Sequence, residues 1–201
     1  MNNILIFDNL LPDGYINYIE KFIRNDKIDW HYVRDATYHT TQGYSNTDGA
    51  GHLLYSPQHT SKFYNFFKPI LYAASEAASI KVEMRHVFRA RLGLLMKAYP
   101  TDPEYNLPHV DADFPHWTGL YYVNDNDGPT YIFNERITDL SPKKRDDNSI
   151  LEFMKTATVD QAVEPKKGRF VLFDGLRFHA SSKPKSSEDR MVITFNWRPS
   201  I

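Results

Sequence analysis

Residues 190–197 alternate without a break. Arg190, Val192, Thr194 and Asn196 share one face of an extended strand, and Met191, Ile193, Phe195 and Trp197 share the other. The odd face reads as core. The even face, which mixes a cation with a hydroxyl and an amide, either meets solvent or lines a polar cavity. Shorter alternations group Thr118, Leu120 and Tyr122, and set Arg169, Val171 and Phe173 against Phe170, Leu172 and Asp174; neither orients its strand alone. Near the N-terminus the period changes. A cap-like Asp13 precedes Tyr15, Ile16, Ile19, Phe22 and Ile23, which predicts a helix over 13–25. Ser56-Pro57 opens a second helical stretch through Phe63, Phe66, Phe67, Ile70, Leu71 and Ala74, ending near Ser79. Between them, 34–57 shows no sustained period and reads as a long loop or a short irregular hairpin. From about residue 80 strands dominate, with one or two in Val82–Ala98 and another after the turn residues of EPKKGRFVLFDG. The charged stretch 134–149 reads as a surface loop. Two early helices followed by about eight strands predict an α+β, mainly β fold: a double-stranded β-helix, or jelly roll, buttressed by N-terminal helices.

Composition narrows this picture. A chain of 201 residues, 41% hydrophobic and 24% charged, fits a single domain over 1–201, with 1–80 as helical support and loop and 81–201 as jelly-roll core. A net charge of −1 and a pI near 6.7 supply no basic field for nucleic acid, which makes such a partner unexpected. With no Cys there are no disulfides and no thiolate metal ligands. The longest early apolar run, Ile4 to Phe7, is too short for a signal peptide or a membrane span, so a cytoplasmic protein without membrane partners is expected.

The candidate chemistry lies in a dispersed set: His109-Val110-Asp111, then His179, then Arg190 with Thr194 four places on. Two imidazoles and one carboxylate on one face of an octahedral metal leave three positions open for a bidentate co-substrate and dioxygen. A His and an Asp one residue apart point to the same side of an extended segment, and the third ligand must come from elsewhere. A guanidinium is a planar fork suited to a distant carboxylate. The triplet alone means little, because eight His and seventeen Asp predict about 0.7 His-x-Asp triplets by chance. Its surroundings carry the weight: LLMKAYPTDPEYNLPHVD before it, GLYYVNDNDGPTYIF after it, then KKGRFVLFDGLRFHAS and RMVITFNW.

Over residues 85–198 this order and spacing resembles the Fe(II)- and 2-oxoglutarate-dependent dioxygenases, and within them the prolyl-hydroxylase branch. The resemblance implies that His109, Asp111 and His179 hold the iron. It implies that Arg190 and Thr194 grip the far carboxylate of 2-oxoglutarate, the family's final strand reading Arg, three residues, Thr. A Tyr-Pro step ten residues ahead of the metal-binding His, matched by Tyr99-Pro100, makes Tyr99 a 2-oxoglutarate contact. The match of Tyr121-Tyr122-Val123-Asn124 makes Tyr122 a second one. SSKPKSSED makes the turn between His179 and Arg190 longer than the family's usual one. The implied reaction uses Fe(II), 2-oxoglutarate and O2, with ascorbate as a candidate reductant. It hydroxylates a C–H bond of a prolyl or other peptidyl residue, a protein or a small molecule, and releases succinate and CO2. Substrate choice would then reside in 34–57, 100–108 and 134–149. Oligomeric state is not readable from the chain. Two other readings stay open: a non-catalytic jelly-roll binding module, and a metal-dependent cupin enzyme that needs neither 2-oxoglutarate nor an equivalent of Arg190.

The remaining candidates have plainer readings. His31, His39, His52, His59 and His86 read as surface or core residues with a hydrogen bond. His116 and Asp113 lie close to the triplet, yet Phe114-Pro115 predicts a turn that carries them away. Arg91 shares the strand face of Tyr99 by parity and reads as a solvated side chain or a substrate contact.

Overall fold

The computed structural model of the protein describes residues 4–25, 28–33 and 48–200. Helix α1 (Asp13–Asn25) buries Ile16, Ile19 and Ile23, whose spacing of three and four makes one apolar stripe. The Pro12 carbonyl accepts the first turn's N–H bonds from Tyr15 and Ile16, and Asp13 supplies a negative charge where the helix dipole favours one. Helix α2 (Tyr64–Ala78) buries Tyr64, Phe67, Ile70, Leu71 and Ala74 and ends at Ser79 in the left-handed region.

Ser56-Pro57 does not start α2. Ser56 ends strand β3 (Gly49–Ser56), and Pro57-Gln58 turns the chain into β4 (His59–Thr60), with Ser56 paired to His59. The fixed φ of proline suits a turn as well as a first helical residue, so the dipeptide signal was ambiguous. Within 34–57, then, 49–56 is strand, and 34–47 lies outside the described residues.

The larger sheet runs in the order β1 (Leu5–Phe7), β9 (Phe170–Asp174), β6 (Trp117–Tyr122), β11 (Asp189–Trp197), β5 (Val87–Met96), β3, β2 (His31–Val33), with β4 paired to β3. It therefore draws strands from the first 80 residues as well as the rest. The smaller sheet is β10 (Arg177–Ser181), β7 (Thr130–Arg136), β8 (Val159–Val163). Every pairing is antiparallel. Val82–Ala98 holds one strand, β5, preceded by a 3-10 turn at Met84–His86.

Three apolar clusters fix the layers. The odd face of β11 (Met191, Ile193, Phe195, Trp197) packs with Tyr121, Phe170 and Leu172 against α1 and α2. The opposite face of the large sheet contributes Leu120, Tyr122, Val171, Phe173 and Val192, which meet Ile132 and Val163 of the small sheet. Behind the small sheet, Phe133, Phe178 and Ala180 pack with Ile137, Leu140 and Ile150. Those last three lie in or beside the stretch 134–149, which is not a plain surface loop. It passes through 3-10 turns at Ile137–Asp139 and Pro142–Lys144 into α3 (Asp147–Met154), where Asp146 caps the helix by accepting from the Ser149 N–H. The result is a two-sheet jelly roll buttressed by helices. Among the described residues no helix is long and apolar enough to cross a membrane.

Candidate metal centre

His179 lies on β10, at the edge of the small sheet. The chain before β6 runs alongside it. His109 forms an isolated antiparallel bridge with His179, each N–H donating to the other's carbonyl at 2.9 Å. Asp111 follows two residues later. These steps bring a donor atom from each of His109, Asp111 and His179 within 4.8 Å of one another. The Nε2 atoms of His109 and His179 lie 3.8 Å from Asp111 Oδ1 and Oδ2 respectively.

Backbone geometry selects the tautomer of both rings. His109 Nδ1 faces the Leu107 carbonyl and His179 Nδ1 faces the Arg177 carbonyl, each at 3.3 Å. With Nδ1–H donating there, both Nε2 lone pairs turn toward Asp111, as metal ligation requires. Burial, with His179 adding to it, pushes the His109 pKa down to about 3, and burial also lowers His179, so both imidazoles are neutral near pH 7. Burial alone would raise Asp111, but Arg89, the two histidines and the Asn196 amide outweigh it and hold the carboxyl far below its usual range. Arg89 pairs with Asp111 Oδ1, and Asn196 Nδ2 donates to Oδ2 at 2.8 Å. The donors are thus in the protonation states that a divalent cation needs.

The cluster opens into a cavity of about 110 Å3 between the sheets. The even face of β11 lines it through Arg190, Val192 and Thr194, which resolves the ambiguity of that face in favour of a polar cavity. Beside them in the same sheet stand Leu120 of β6, Arg89, Arg91, Gly93 and Leu95 of β5, and Gly49 and Ala50 of β3, with Thr130 facing them from the small sheet. Arg190 is 5% exposed. Its Nε donates to the Gly128 carbonyl and its Nη2 to Thr130 Oγ1, both at 2.8 Å. A Cβ on residue 128 would stand 3.1 Å from Arg190 Cδ and 2.7 Å from the Ser182 carbonyl oxygen, so glycine permits this approach. Among the described residues no carboxylate pairs with Arg190. A buried cation without a counter-ion is costly, and burial lowers its pKa accordingly.

Tyr122, expected as a 2-oxoglutarate contact, is fully buried beneath this guanidinium and does not itself line the cavity. Its hydroxyl donates to Thr130 Oγ1 at 2.6 Å, and Arg190 Cζ lies 5.6 Å from its ring centre. It thereby fixes Thr130, which in turn holds Arg190. Tyr99 is not brought to the cavity: it is 67% exposed. Strand β5 stops at Met96, and a turn closed by Asp102 N–H donating to the Tyr99 carbonyl carries the tyrosine outward, so strand parity does not extend to it. Leu95 lines the cavity at the end of β5. His116 and Asp113 stand apart, His116 Nδ1 on the Phe114 carbonyl at 2.7 Å and Asp113 exposed near Arg145. His52 is a structural histidine held by the Asp29 carbonyl and Ser61.

Arg89, Asn196, Thr130 and Gly128 were not singled out by sequence. Parity could have found two of them, since Asn196 shares a face with Arg190 and Thr194, and Arg89 with Arg91. Thr130 and Gly128 carry no sequence signal of their own.

No protein-family model matches the chain, and no curated protein matches it in sequence. Solved structures do resemble it. The non-heme alpha ketoglutarate dependent carbocyclase SnoK from nogalamycin biosynthesis is 12% identical over 100% of this chain and 83% of that one, with a TM-score of 0.64. A prolyl hydroxylase from Trichoplax adhaerens, in complex with a hypoxia inducible factor peptide fragment, is 12% identical over 99% and 84%, with a TM-score of 0.60. The epimerase SnoN, in complex with Fe3+, alpha ketoglutarate and nogalamycin RO, is 13% identical over 98% and 82%, with a TM-score of 0.57. The chain therefore has the fold shared by alpha ketoglutarate (2-oxoglutarate) dependent enzymes and prolyl hydroxylases.

Proposed function

We propose that the chain is an Fe(II)- and 2-oxoglutarate-dependent oxygenase that hydroxylates a C–H bond. The observation that carries this reading is Arg190, a buried, unpaired guanidinium sharing one cavity with the His109–Asp111–His179 cluster. A two-His, one-carboxylate donor set suits iron(II), and the dicarboxylate supplies the anion that Arg190 lacks.

In this reading His109 Nε2, His179 Nε2 and Asp111 hold the metal. Arg190 orients the far carboxylate of the co-substrate, and Thr194 adds a hydroxyl donor from the same strand face. Tyr122 and Thr130 keep the guanidinium from rotating. Asn196 and Arg89 orient the Asp111 carboxylate. Iron and 2-oxoglutarate, when bound, supply dioxygen activation, with succinate and CO2 released. The apolar wall of Leu95, Leu120 and Val192 limits water around the reacting groups. The primary substrate is a peptidyl side chain or a small molecule, since structures with this fold hold a hypoxia inducible factor peptide fragment in one case and nogalamycin RO in another.

The test is anaerobic titration of the metal-free protein with Fe(II) and 2-oxoglutarate. A weak visible charge-transfer band is expected from the wild type and not from His109→Ala. No band from folded wild-type protein would refute the reading and favour a binding module. A metal-dependent turnover unchanged in Arg190→Ala would favour the cupin reading.

A further inference from the structure

A second guanidinium faces the same cavity and has no task in the proposed chemistry. Arg91 sits on β5, in register with Thr194 of β11 on one side and Leu53 of β3 on the other. The three arginines of the cavity differ in how they are held. Arg190 is anchored by Gly128 and Thr130, and Arg89 by Asn196 and Asp111. Arg91 makes no hydrogen bond and no ion pair among the described residues. It is nevertheless largely withdrawn from solvent, and burial, with the charge of Arg89 beside it, lowers its pKa.

Small residues make room for the guanidinium itself and leave the wall beside it open. The guanidinium lies against Gly51, where a Cβ would stand 3.0 Å from Nε and 3.2 Å from Nη2. Gly49, Ala50 and Gly93 keep the neighbouring wall free of side chains larger than a methyl. Leu53, in register with Arg91 on β3, is 38% exposed, so the strand pair reaches the surface on this side of Arg91. Arg190 has a fork fixed by two acceptors, as a small co-substrate held in one pose requires. Arg91 is unanchored beside Thr194, between Arg190 and the metal cluster, where its fork is free to turn to a second ligand.

On the strength of the reading above, we infer that the primary substrate carries an oxyanion, a carboxylate or a phosphate, and that Arg91 is the residue that grips it. A planar fork accepts either anion through two parallel N–H bonds. Arg91 is thus a specificity-determining residue, distinct in role from Arg190.

The test uses full-length 15N-labelled protein loaded with Zn(II) and 2-oxoglutarate, titrated separately with acetate and with inorganic phosphate. The arginine Nε–H resonances are read out, Arg91 and Arg190 being assigned by their loss in R91Q and R190Q. Loading with 2-oxoglutarate is expected to move Arg190. One of the two anions is then expected to move Arg91 saturably, and which one does so identifies the oxyanion. R91Q should weaken that second binding at least tenfold and leave 2-oxoglutarate affinity within twofold. Loaded wild-type protein whose Arg91 responds to neither anion overturns the inference and leaves the oxygenase reading standing. So does an R91Q variant that loses 2-oxoglutarate, because Arg91 would then anchor the co-substrate. Failure of the oxygenase reading itself shows as an Arg190 resonance that 2-oxoglutarate does not move, and removes the ground for both.

Discussion

Replacing Arg190 by Met separates the cost of a buried charge from its use. In the free protein the substitution removes two charge-assisted hydrogen bonds, to the Gly128 carbonyl and to Thr130 Oγ1, each worth about 1.5–3 kcal/mol. It also removes a cation whose burial costs several kcal/mol when unpaired, about the same size with opposite sign. Stability of the metal-loaded protein without co-substrate should therefore change by no more than about 2 kcal/mol. Binding should change far more. Loss of a bidentate charged contact of about 3 kcal/mol raises the dissociation constant for 2-oxoglutarate roughly a hundredfold. At a concentration a hundred times the wild-type constant, ligand stabilises the native state by about 2.7 kcal/mol, and the variant by about 0.4 kcal/mol. For a chain of this size 1 kcal/mol corresponds to about 2–4 °C. A 2-oxoglutarate-dependent rise in Tm of about 5–10 °C should thus shrink to about 1 °C in Arg190→Met, read by thermal denaturation of Zn(II)-loaded protein. A variant that keeps the full rise would show that this guanidinium is not the anchor.

Asp111→Asn keeps the shape of the carboxylate and removes its charge. The Zn(II)-dependent rise in Tm should vanish and the metal-free protein lose about 1–3 kcal/mol as Arg89 loses its counter-ion; an unchanged metal response would sink the ligand assignment. Asp8, at the end of β1, is held at about 2 by hydrogen bonding to Arg169, with Lys166 adding to it against the opposing effect of burial. A carboxylate depressed in the folded state stabilises it fully above its unfolded pKa near 4 and loses that contribution as pH falls toward 2. Asp8→Asn should accordingly cost about 1 kcal/mol at pH 6, the pair being partly exposed. In urea denaturation the gap from wild type should close between pH 4 and 2, and a gap constant with pH would exclude the ion pair as its cause. Gly119→Ala would place a Cβ 2.4 Å from Phe170 Cζ and 3.1 Å from Trp197 Cζ3, in the core beneath the helices. A loss of about 1–3 kcal/mol is expected by overpacking, and a neutral result would mean that these rings move freely.

The best-written part of the sequence was the last strand. Its alternation separated Met191, Ile193, Phe195 and Trp197, which the helices cover, from Arg190, Val192 and Thr194, which line the cavity. Such strict alternation survives because one face must be dry and the other hold charge. Helix α1 was equally plain, its stripe being strict and its ends marked. Strand β3 was hidden because Gly49, Ala50 and Gly51 have weak strand propensity and are held by pairing with β5, a long-range effect that no local pattern records. The stretch 134–149 was obscured by its charges, which sit between the widely spaced Ile137, Leu140 and Ile150. Tyr99 was expected in the pocket from the Tyr99-Pro100 match, and the turn after the end of β5 leaves it exposed instead. The juxtaposition of His109, Asp111 and His179 followed from their motif context. The pairing of Arg89 with Asp111 depended on a long-range approach of β5 to the segment before β6 that sequence does not encode locally.

On the proposed reading, the reciprocal backbone bridge between His109 and His179 governs when a metal can arrive. The two residues are joined through main-chain atoms, so their rings are aligned by the same contact that closes the small sheet's edge, with or without an ion. Strands β6 to β9 lie between the two residues in sequence, so the chain has to fold back on itself before that contact forms. A nascent or partly folded chain thus presents separate histidines and no trap for adventitious cations. The finished one offers a rigid template in which little ordering entropy remains to be lost on capture. On that reading a metal loads late on an already folded chain, and a chelator is expected to empty the site without unfolding the jelly roll around it.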